Sequence, residues 1–348
     1  MCEKGRAPAA AGASMACSAV PDTSQAAGLM ASNDRRDRSR RDLWIHLLLY
    51  PGHTLPTAAA PVIVAIGLAI HYHVFAPLPA LVGFIGSWLI HVGGVFTDNY
   101  ELLRQHPHLP EHPELLRGVQ NGSFSLRHLK LAIWACFGLA LLTAPYLFDV
   151  GGIIVLIIGI VGAAASFFYA GSRYAYAKRG WADPIFFVMF GEVAVIATYY
   201  IQVASVVGMS SLYSIPPYVL PGIVFVIGVP VGALVTNVLV IDDIRDRDFD
   251  RAKGWRTPAV RFGIRWSRAE FTALMTLAYL APIFFWLSLG YGMWSLLPLL
   301  TLPLAYRIAH TVRNCDCPKD LLPMTPQMAR LALLYSILLG IALALTRL

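Results

Sequence analysis

Long apolar runs dominate the pattern of hydrophobic and polar positions along this chain. Nine of these runs are about 18 residues or longer, the length that an α-helix needs to cross the hydrocarbon core of a bilayer. They lie at residues 57–75, 78–97, 129–148, 151–170, 185–205, 218–241, 270–289, 292–310 and 328–345. The pattern therefore predicts an all-α, polytopic membrane protein with about nine transmembrane helices.

Positive charge lies almost entirely on one side of these runs. Of the 27 Lys and Arg residues, only Arg347 falls on the other side. The connecting segments on that side contain no Lys or Arg at residues 76–77, 149–150, 206–217 and 290–291. Because basic loops stay in the cytoplasm, we expect the N-terminus and the large loops to be cytoplasmic. The expected location is a membrane that the chain crosses many times, the inner membrane if the source is bacterial.

The first 42 residues differ from the rest of the chain. Residues 1–42 are rich in Ala, Ser and Arg and contain no apolar run long enough for a signal peptide. We therefore predict a disordered, basic cytoplasmic tail. Residues 43–348 are predicted to form a single transmembrane domain.

The composition supports a membrane protein and excludes several other classes. Hydrophobic residues make up 57% of the chain and charged residues 14%, against about 25% charged residues in a typical soluble domain. The net charge of +7 is explained by the sidedness of the loops, so nucleic acid is not an expected partner. The five Cys residues are too scattered for a disulfide framework. We interpret Cys315 and Cys317 as part of an ordinary loop rather than a metal site.

The first candidate site follows the sixth apolar run. Asp242, Asp246 and Asp250 are four residues apart, which places them on one face of a helix. Like charges in such a stripe repel each other, so the stripe favours a bound divalent cation, and oxygen ligands without His or Cys are typical of Mg²⁺ beside a phosphate. The neighbouring cations that could hold phosphate oxygens are Arg245, Arg251, Lys253 and Arg256. The alternative is a solvated loop with local Asp–Arg pairs.

Two further loops on the same side carry candidate chemistry. After the second run, Asp98, Asn99 and Glu101 precede a segment with three His residues, whose spacing fits no closed zinc pattern and is also explained by a solvated loop. After the fourth run, cationic and aromatic residues alternate at Tyr169, Arg173, Tyr174, Lys178 and Arg179. This pattern suits an anion beside an aromatic wall for a carbocation. It is equally typical of an interfacial aromatic belt with cytoplasmic positive charge.

Two polar residues fall inside apolar runs. Glu192 is the acidic residue well inside a run, and such a carboxyl group is either functional or neutralised by a proton or a partner. His91, in the second run, is interpreted as a buried histidine whose hydrogen bonds are satisfied.

Taken together and in order, these segments resemble the UbiA superfamily of intramembrane prenyltransferases, and most closely its 1,4-dihydroxy-2-naphthoate prenyltransferase branch. The similar segments are PGHTLPTAAAPV from Pro51, PELLRGVQ from Pro113, GEVAVIATYY from Gly191 and DDIRDRDFDRAKGWRTPAVRFG from Asp242. The last of these is the most specific. The resemblance covers residues from about 45 to 345 and includes the count of nine helices.

The resemblance implies a substrate pair and a site. A polyprenyl diphosphate would lie with its tail between the helices and its diphosphate at the cytoplasmic mouth, and an aromatic acceptor would attack it. Mg²⁺ would bind the two acidic segments through Asp98, Asp242, Asp246 and Asp250, with Asn99 beside them. Glu101 is a further candidate ligand, as a substitute within the altered first motif. The cations that would hold the diphosphate are Arg117, Arg173, Lys178, Arg179, Arg245, Arg251 and Lys253. Tyr169 or Tyr174 would shield the allylic cation.

One part of the sequence departs from the family pattern. The first family motif reads NDxxDxxxD, whereas this chain has Leu102 where an Asp is expected and His108 near the next one. A basic residue of the span 1 motif is replaced by His53. The alternatives are therefore another acceptor or a terpene cyclase within the same superfamily, or a non-catalytic isoprenoid-binding protein. A transporter fits poorly, because the charged residues gather at one face rather than at the bilayer midplane.

Overall fold

The protein is helical throughout the residues that its computed structural model describes, which are 54–105, 119–120, 125–208, 220–315 and 318–346. The predicted all-α class is therefore confirmed. The helices are α1 (Thr54–His71), α2 (Pro77–Gln105), α3 (Leu126–Phe168), α4 (Ala182–Val207), α5 (Val224–Arg245), α6 (Arg247–Ala252), α7 (Pro258–Arg261), α8 (Ile264–Ser288), α9 (Leu302–Asn314) and α10 (Met324–Leu345). Within α4, residues Phe187–Val193 form a π-helical segment.

The helices are long and apolar enough for a polytopic membrane protein. Within the described ranges, seven of them meet that standard, namely α1, α2, α3, α4, α5, α8 and α10. The predicted count of nine spans is not confirmed. Two predicted runs fall within α3, and the predicted run 292–310 is not one continuous α-helix.

Helix α3 doubles back on itself at Gly152. This residue has φ 65° and ψ −159°, a conformation that glycine adopts without a steric penalty. Gly93 of α2 faces Cys136, and the Ser166 hydroxyl donates to the Ile90 carbonyl at 2.7 Å. A straight helix would separate Cys136 from Ser166 by about 45 Å, so both can meet the same part of α2 only if the chain reverses. The two predicted runs are the two arms of this hairpin.

Proline residues divide the predicted run 292–310. Its first part is the 3₁₀ helix Met293–Thr301, which contains Pro298. Its second part is α9, which has a proline in its first turn. Because proline lacks a backbone N–H and restricts the residue before it, a continuous α-helix is interrupted here.

Helix α5 is the helix around which the others pack. In an apolar stretch of 18 residues of α5, 83% of the residues are buried, compared with 17% in the corresponding stretch of α3. It packs against α8, α10 and the π-helical segment of α4. Gly191 of that segment meets Gly228 and Gly232 of α5 backbone to backbone, an approach that larger side chains would prevent. The carboxyl end of α5 is therefore held near the centre of the bundle.

The connecting segments meet at two opposite ends of the bundle. At one end, the Lys178 ammonium donates to Gln105 at 3.1 Å, and the Arg256 N–H donates to the Lys178 carbonyl at 2.9 Å. At the other end, His71 Nδ1 lies 2.6 Å from the Thr346 carbonyl oxygen. The basic loops are thus grouped as their charge predicts. The assignment of the basic end to the cytoplasm stays a prediction.

We expect Gly67→Ala to destabilise the contact between α1 and α10. A Cβ atom at Gly67 would lie 2.5 Å from the Gly340 Cα, and the backbone there cannot move aside as a side chain would. Overpacking of this kind costs about 1–3 kcal/mol. The measurement is thermal unfolding of the detergent-solubilised protein. Gly138→Ala is the matched control, because a Cβ there meets nothing within 4 Å. Equal melting temperatures for the two variants would contradict this packing.

Candidate active site

A deep cavity between the helices brings the two acidic segments together. It has a volume of 580 Å³ and is lined by Asp98 and Asn99 from α2 and by Asp242, Asp246 and Asp250 from the end of α5 and from α6. Further from these groups the wall consists of small and apolar residues, including Gly86, Ala140, Leu156, Ala197 and Ile201. The cavity is therefore polar at one end and apolar along the rest of its length.

The predicted aspartate stripe is present, but it crosses a break between two helices. Helix α5 ends at Arg245, and Asp246 has φ −97° and ψ 8° before α6 begins. The Asp246 N–H still donates to the Asp242 carbonyl at 2.8 Å, and the Asp250 N–H donates to the Asp246 carbonyl at 2.9 Å. These two bonds keep the helical spacing across the break, so all three carboxyl groups line the cavity.

Two of the predicted cations lie among these carboxylates. The Arg245 guanidinium contacts Asp242 and Asp246, each at 2.5 Å. The Lys253 ammonium lies 3.1 Å from Asp250, with its side chain only 1% exposed. It also sits 4.1 Å from the centre of the Trp255 ring. Short contacts with the carboxylates therefore hold the side chains of Arg245 and Lys253 in place.

Thr325, on α10, completes the polar contacts of Asp242. Its hydroxyl donates to the Asp242 carboxylate at 2.6 Å and lies 3.3 Å from Arg245 Nη1. Thr325 is 2% exposed. A buried hydroxyl in this place holds one rotamer of Asp242, as supporting residues do around ligand sites. No spacing or motif in the sequence indicated Thr325 as a site residue, because it lies far from the aspartates along the chain.

Helix α2 contributes fewer acidic residues to the cavity than α5 and α6 do. Asp98 and Asn99 line the cavity, whereas Leu102 is buried one turn further along. Glu101 does not line the cavity, because its carboxylate accepts from the Arg104 guanidinium at 2.7 Å and from the Gln105 side chain. The role of Glu101 as a metal ligand stays a prediction.

Aromatic side chains form the wall between the acidic end and the apolar part of the cavity. The Tyr169 ring lies 5.6 Å from Tyr176 and 6.0 Å from Phe186, and Phe186 lies 4.7 Å from Phe190. His91 continues this wall 5.0 Å from Phe190. Its Nε2 lies 3.5 Å from the Thr57 hydroxyl. His91, which was expected to be an ordinary buried residue, therefore has a hydroxyl neighbour and also lines the cavity.

Tyr169 stands between the two acidic segments. Burial, followed by the charges of Asp98 and Asp243, raises the pKa of Tyr169 well above its ordinary value. Burial also raises the pKa of Tyr176. Both phenols therefore stay neutral at physiological pH. Each presents an aromatic face and an O–H donor rather than a phenolate.

Several predicted cationic and aromatic residues lie away from the cavity. Tyr174 is exposed and stacks with Arg173 at 4.7 Å and with Arg179 at 5.8 Å. Lys178 faces Gln105 and the Trp255 ring, and Arg251 is exposed. The predicted residue Arg117, like His53 and His108, lies outside the described residues. The roles of these residues in diphosphate binding stay predictions.

Two buried carboxyl groups were missed by sequence reasoning. Asp183 is 3% exposed and Asp243 is 8% exposed. Within the described residues, both oxygens of Asp183 and one oxygen of Asp243 have no hydrogen-bond partner. Asp243 lies within electrostatic range of Asp183 and of the three stripe carboxylates. The only available signal for Asp183 was a charged residue at the start of an apolar run.

The donor set fits a hard divalent cation. Among the described residues, five carboxyl groups and one guanidinium line the cavity, and such an excess of buried negative charge is costly without a further cation. In that same part of the chain, no three His, Cys, Asp or Glu side chains are placed to hold one ion by themselves. Mg²⁺ suits this arrangement, because it retains several water ligands and shares its remaining contacts between carboxylates and phosphate oxygens.

The fold and the cavity define a helical membrane protein with an apolar cavity that is acidic at one end. A profile of the UbiA prenyltransferase family matches residues 58–321, which is more than half of the chain. The chain therefore belongs to the UbiA prenyltransferase family, and the resemblance seen in the sequence is confirmed. It is an integral membrane enzyme, a UbiA-type prenyltransferase.

Individual relatives agree with this assignment. The chain is 29% identical over 316 residues to the 1,4-dihydroxy-2-naphthoate octaprenyltransferase of Escherichia coli (strain K12), covering 88% of this chain and 97% of the relative. The enzyme of the same name from Mycobacterium tuberculosis (strain ATCC 25618 / H37Rv) is 28% identical over 300 residues, covering 84% and 94%. The fold is similar to the apo structure of a UbiA homologue from Aeropyrum pernix K1, with a TM-score of 0.60, 17% identity and coverage of 84% and 96%.

We expect Thr325→Val to weaken divalent-cation binding by about tenfold, because loss of the hydroxyl frees Asp242 to rotate. The measurement is a titration of the purified protein with Mn²⁺ followed by electron paramagnetic resonance. Thr325→Ser retains the hydroxyl and should bind Mn²⁺ as the wild type does. Equal affinity in the Val and Ser variants would show that the Thr325 contact does not support the site.

Proposed function

We propose that this enzyme transfers a prenyl group from a polyprenyl diphosphate to an aromatic acceptor in the membrane, and that the acceptor is 1,4-dihydroxy-2-naphthoate or a related quinone precursor. The observation that carries the proposal is the position of both acidic segments at one end of a deep apolar cavity. The names of the similar bacterial enzymes support the choice of acceptor.

The cavity favours one orientation of a lipid diphosphate. Its apolar walls take the prenyl chain, since each buried CH₂ group contributes about 0.8 kcal/mol. The diphosphate stays at the acidic end, where Arg245 and Lys253 lie, because desolvation would penalise it in the apolar part. Because basic loops are favoured on the cytoplasmic side, we place that end at the cytoplasm. There a water-soluble acceptor can enter and the diphosphate can leave.

Asp98, Asn99, Asp242, Asp246 and Asp250 are the residues that would hold Mg²⁺ in this proposal. Bound there, the ion supplies positive charge to a departing diphosphate. Glu101 would join these ligands only by giving up its contact with Arg104. The buried Leu102 leaves the α2 side with fewer oxygen donors than the family pattern has, so the intact α5 side carries more of the ion's binding.

The reaction is an electrophilic aromatic substitution. The C–O bond between the allylic carbon and the diphosphate breaks, and its electron pair leaves with the diphosphate. A ring carbon of the acceptor supplies the electron pair of the new C–C bond. The ring then regains aromaticity by losing carbon dioxide from a naphthoate carboxylate, or a proton from another acceptor. Arg245 and Lys253 offset the negative charge that develops on the leaving group.

The aromatic wall protects the allylic cation. The faces of Tyr169, Phe186 and Phe190 offer negative π-density without a nucleophilic lone pair, and a neutral Tyr169 does not trap the cation as a phenolate would. The apolar cavity beyond them keeps water from the reacting carbon. The prenyl group is thus transferred to the acceptor rather than lost to hydrolysis.

We expect the purified, detergent-solubilised enzyme to prenylate 1,4-dihydroxy-2-naphthoate when Mg²⁺ is present and not when EDTA is added. The assay offers labelled geranyl, farnesyl and longer diphosphates with a panel of aromatic acceptors. Product on a different acceptor would overturn the choice of naphthoate, and diphosphate release without aromatic product would indicate a cyclase or a hydrolase. Folded protein that binds the diphosphate without turnover would indicate an isoprenoid-binding protein.

We expect Asp246→Asn to lower kcat by about a hundredfold or more, since it removes a charged group from the leaving-group site. Asp248→Asn is the matched control, because Asp248 is exposed in the same stretch and does not line the cavity. Steady-state kinetics at saturating Mg²⁺ make the comparison. An equal loss of kcat in both variants, or no loss in either, would contradict the role of the three aspartates.

We expect Asp98→Asn to raise the Mg²⁺ concentration needed for half-maximal activity, and Glu101→Gln to raise it less. Asp98 lines the cavity, whereas Glu101 is held by Arg104. A larger effect from Glu101→Gln would show that Glu101 turns into the site when substrate binds. The activity is measured at a series of Mg²⁺ concentrations with both substrates saturating.

A further inference from the structure

A second groove lies on the outer surface of the bundle, between α8 and α9. It has a volume of 720 Å³ and shares no lining residue with the catalytic cavity. Three arginines line it at the basic end of the bundle, namely Arg265 and Arg268 of α8 and Arg313 of α9. None of the described residues that line it is a carboxylate. The groove therefore carries a local positive charge that its own walls do not neutralise.

Arg268 is placed to receive an anion. One of its terminal nitrogens donates to the Cys315 carbonyl, which fixes the guanidinium at the top of the groove. Its Nε is buried and has no hydrogen-bond partner among the described residues. Arg265 and Arg313 line the same groove and are exposed. A phosphate group bound here would accept from all three side chains, in the geometry that arginine clusters offer to phosphates.

The rest of the groove is apolar. Thr272 and Thr276 direct their hydroxyls to backbone carbonyls one turn back, each at 2.8 Å, so neither hydroxyl needs a ligand. Leu277 and Leu280 follow on the same face of α8 and are 41% and 56% exposed. A small hydrophilic anion would leave this surface uncovered, whereas a hydrocarbon chain would cover it.

The dimensions of the groove match one leaflet of a membrane. Along α8, Arg268 and Leu280 are separated by about 18 Å, close to the roughly 15 Å of hydrocarbon in one leaflet. At the same end, exposed Trp266 stacks with exposed Phe262 at 5.5 Å, as aromatic residues do at a membrane–water interface. The arginines then lie at the depth of the headgroups.

We propose that this groove binds an anionic phospholipid, with its phosphate on Arg265, Arg268 and Arg313 and one acyl chain along Leu277 and Leu280. Basic pockets between transmembrane helices bind anionic headgroups in this manner. The site does not depend on the proposed reaction, because the groove and the catalytic cavity have separate walls. A lipid in this position would bridge α8 and the carboxyl end of α9 at Arg313.

The test is native mass spectrometry of the detergent-purified, full-length protein with added phosphatidylglycerol or phosphatidylcholine of identical acyl chains. We expect one phosphatidylglycerol to be retained at concentrations at which phosphatidylcholine is lost. The variant Arg265→Gln/Arg313→Gln should bind phosphatidylglycerol about twenty-five times more weakly, from a roughly fivefold effect of each charge. It leaves Arg268 and its contact with the Cys315 carbonyl intact.

The matched control is Arg127→Gln/Arg307→Gln, which removes two exposed arginines that do not line the groove. Unchanged phosphatidylglycerol retention in this control supports the site. Equal retention of the two lipids by the wild type would overturn the proposal. The proposal would also be overturned if the control variant lost as much phosphatidylglycerol binding as Arg265→Gln/Arg313→Gln does. Displacement of the lipid by millimolar inorganic phosphate would show a simple anion site and would also overturn it.

Discussion

Unbalanced negative charge at the mouth of an apolar cavity is the constraint on which the rest of the site depends. Asp242, Asp246 and Asp250 line this cavity together with Asp98, and Arg245 is the cation among the described residues that line it. In a site of low dielectric constant, such an excess of carboxylates is costly without further positive charge. In the proposed function this charge comes from Mg²⁺, and binding of the ion and of the diphosphate is expected to be coupled.

Helix α5 makes this arrangement possible. It is the most buried of the long helices, and close glycine contacts with the π-helical segment of α4 bring the backbones together. The helix ends where the charged residues begin, so a rigid apolar core supports the aspartates directly. The α3 hairpin is far less buried and supplies the opposite apolar wall. A rigid polar end joined to a lipid-facing wall suits a substrate with a charged head and a long tail.

The sequence was sufficient for those features that repeat at a regular spacing. Apolar runs predicted the helical class, and the four-residue spacing predicted that Asp242, Asp246 and Asp250 share a face. Hydropathy also predicted the two arms of α3 and the reversal between them, but not the positive φ of Gly152 at which the chain turns. Features that depend on how the loops fold were not accessible. The alternation of cationic and aromatic residues could not distinguish Tyr169 in the cavity wall from Tyr174 on the surface. Thr325 was missed because only the folded chain brings it to Asp242.

The most direct test of the account is binding of a non-hydrolysable farnesyl thiodiphosphate, measured by calorimetry on the purified protein with and without Mg²⁺. In the proposed function, the two acidic segments form one site in which Mg²⁺ and diphosphate bind together. We therefore expect tight binding with Mg²⁺ and binding at least about tenfold weaker in EDTA. Equally tight binding without the metal would contradict it, because the carboxylates would then face the diphosphate with no charge between them.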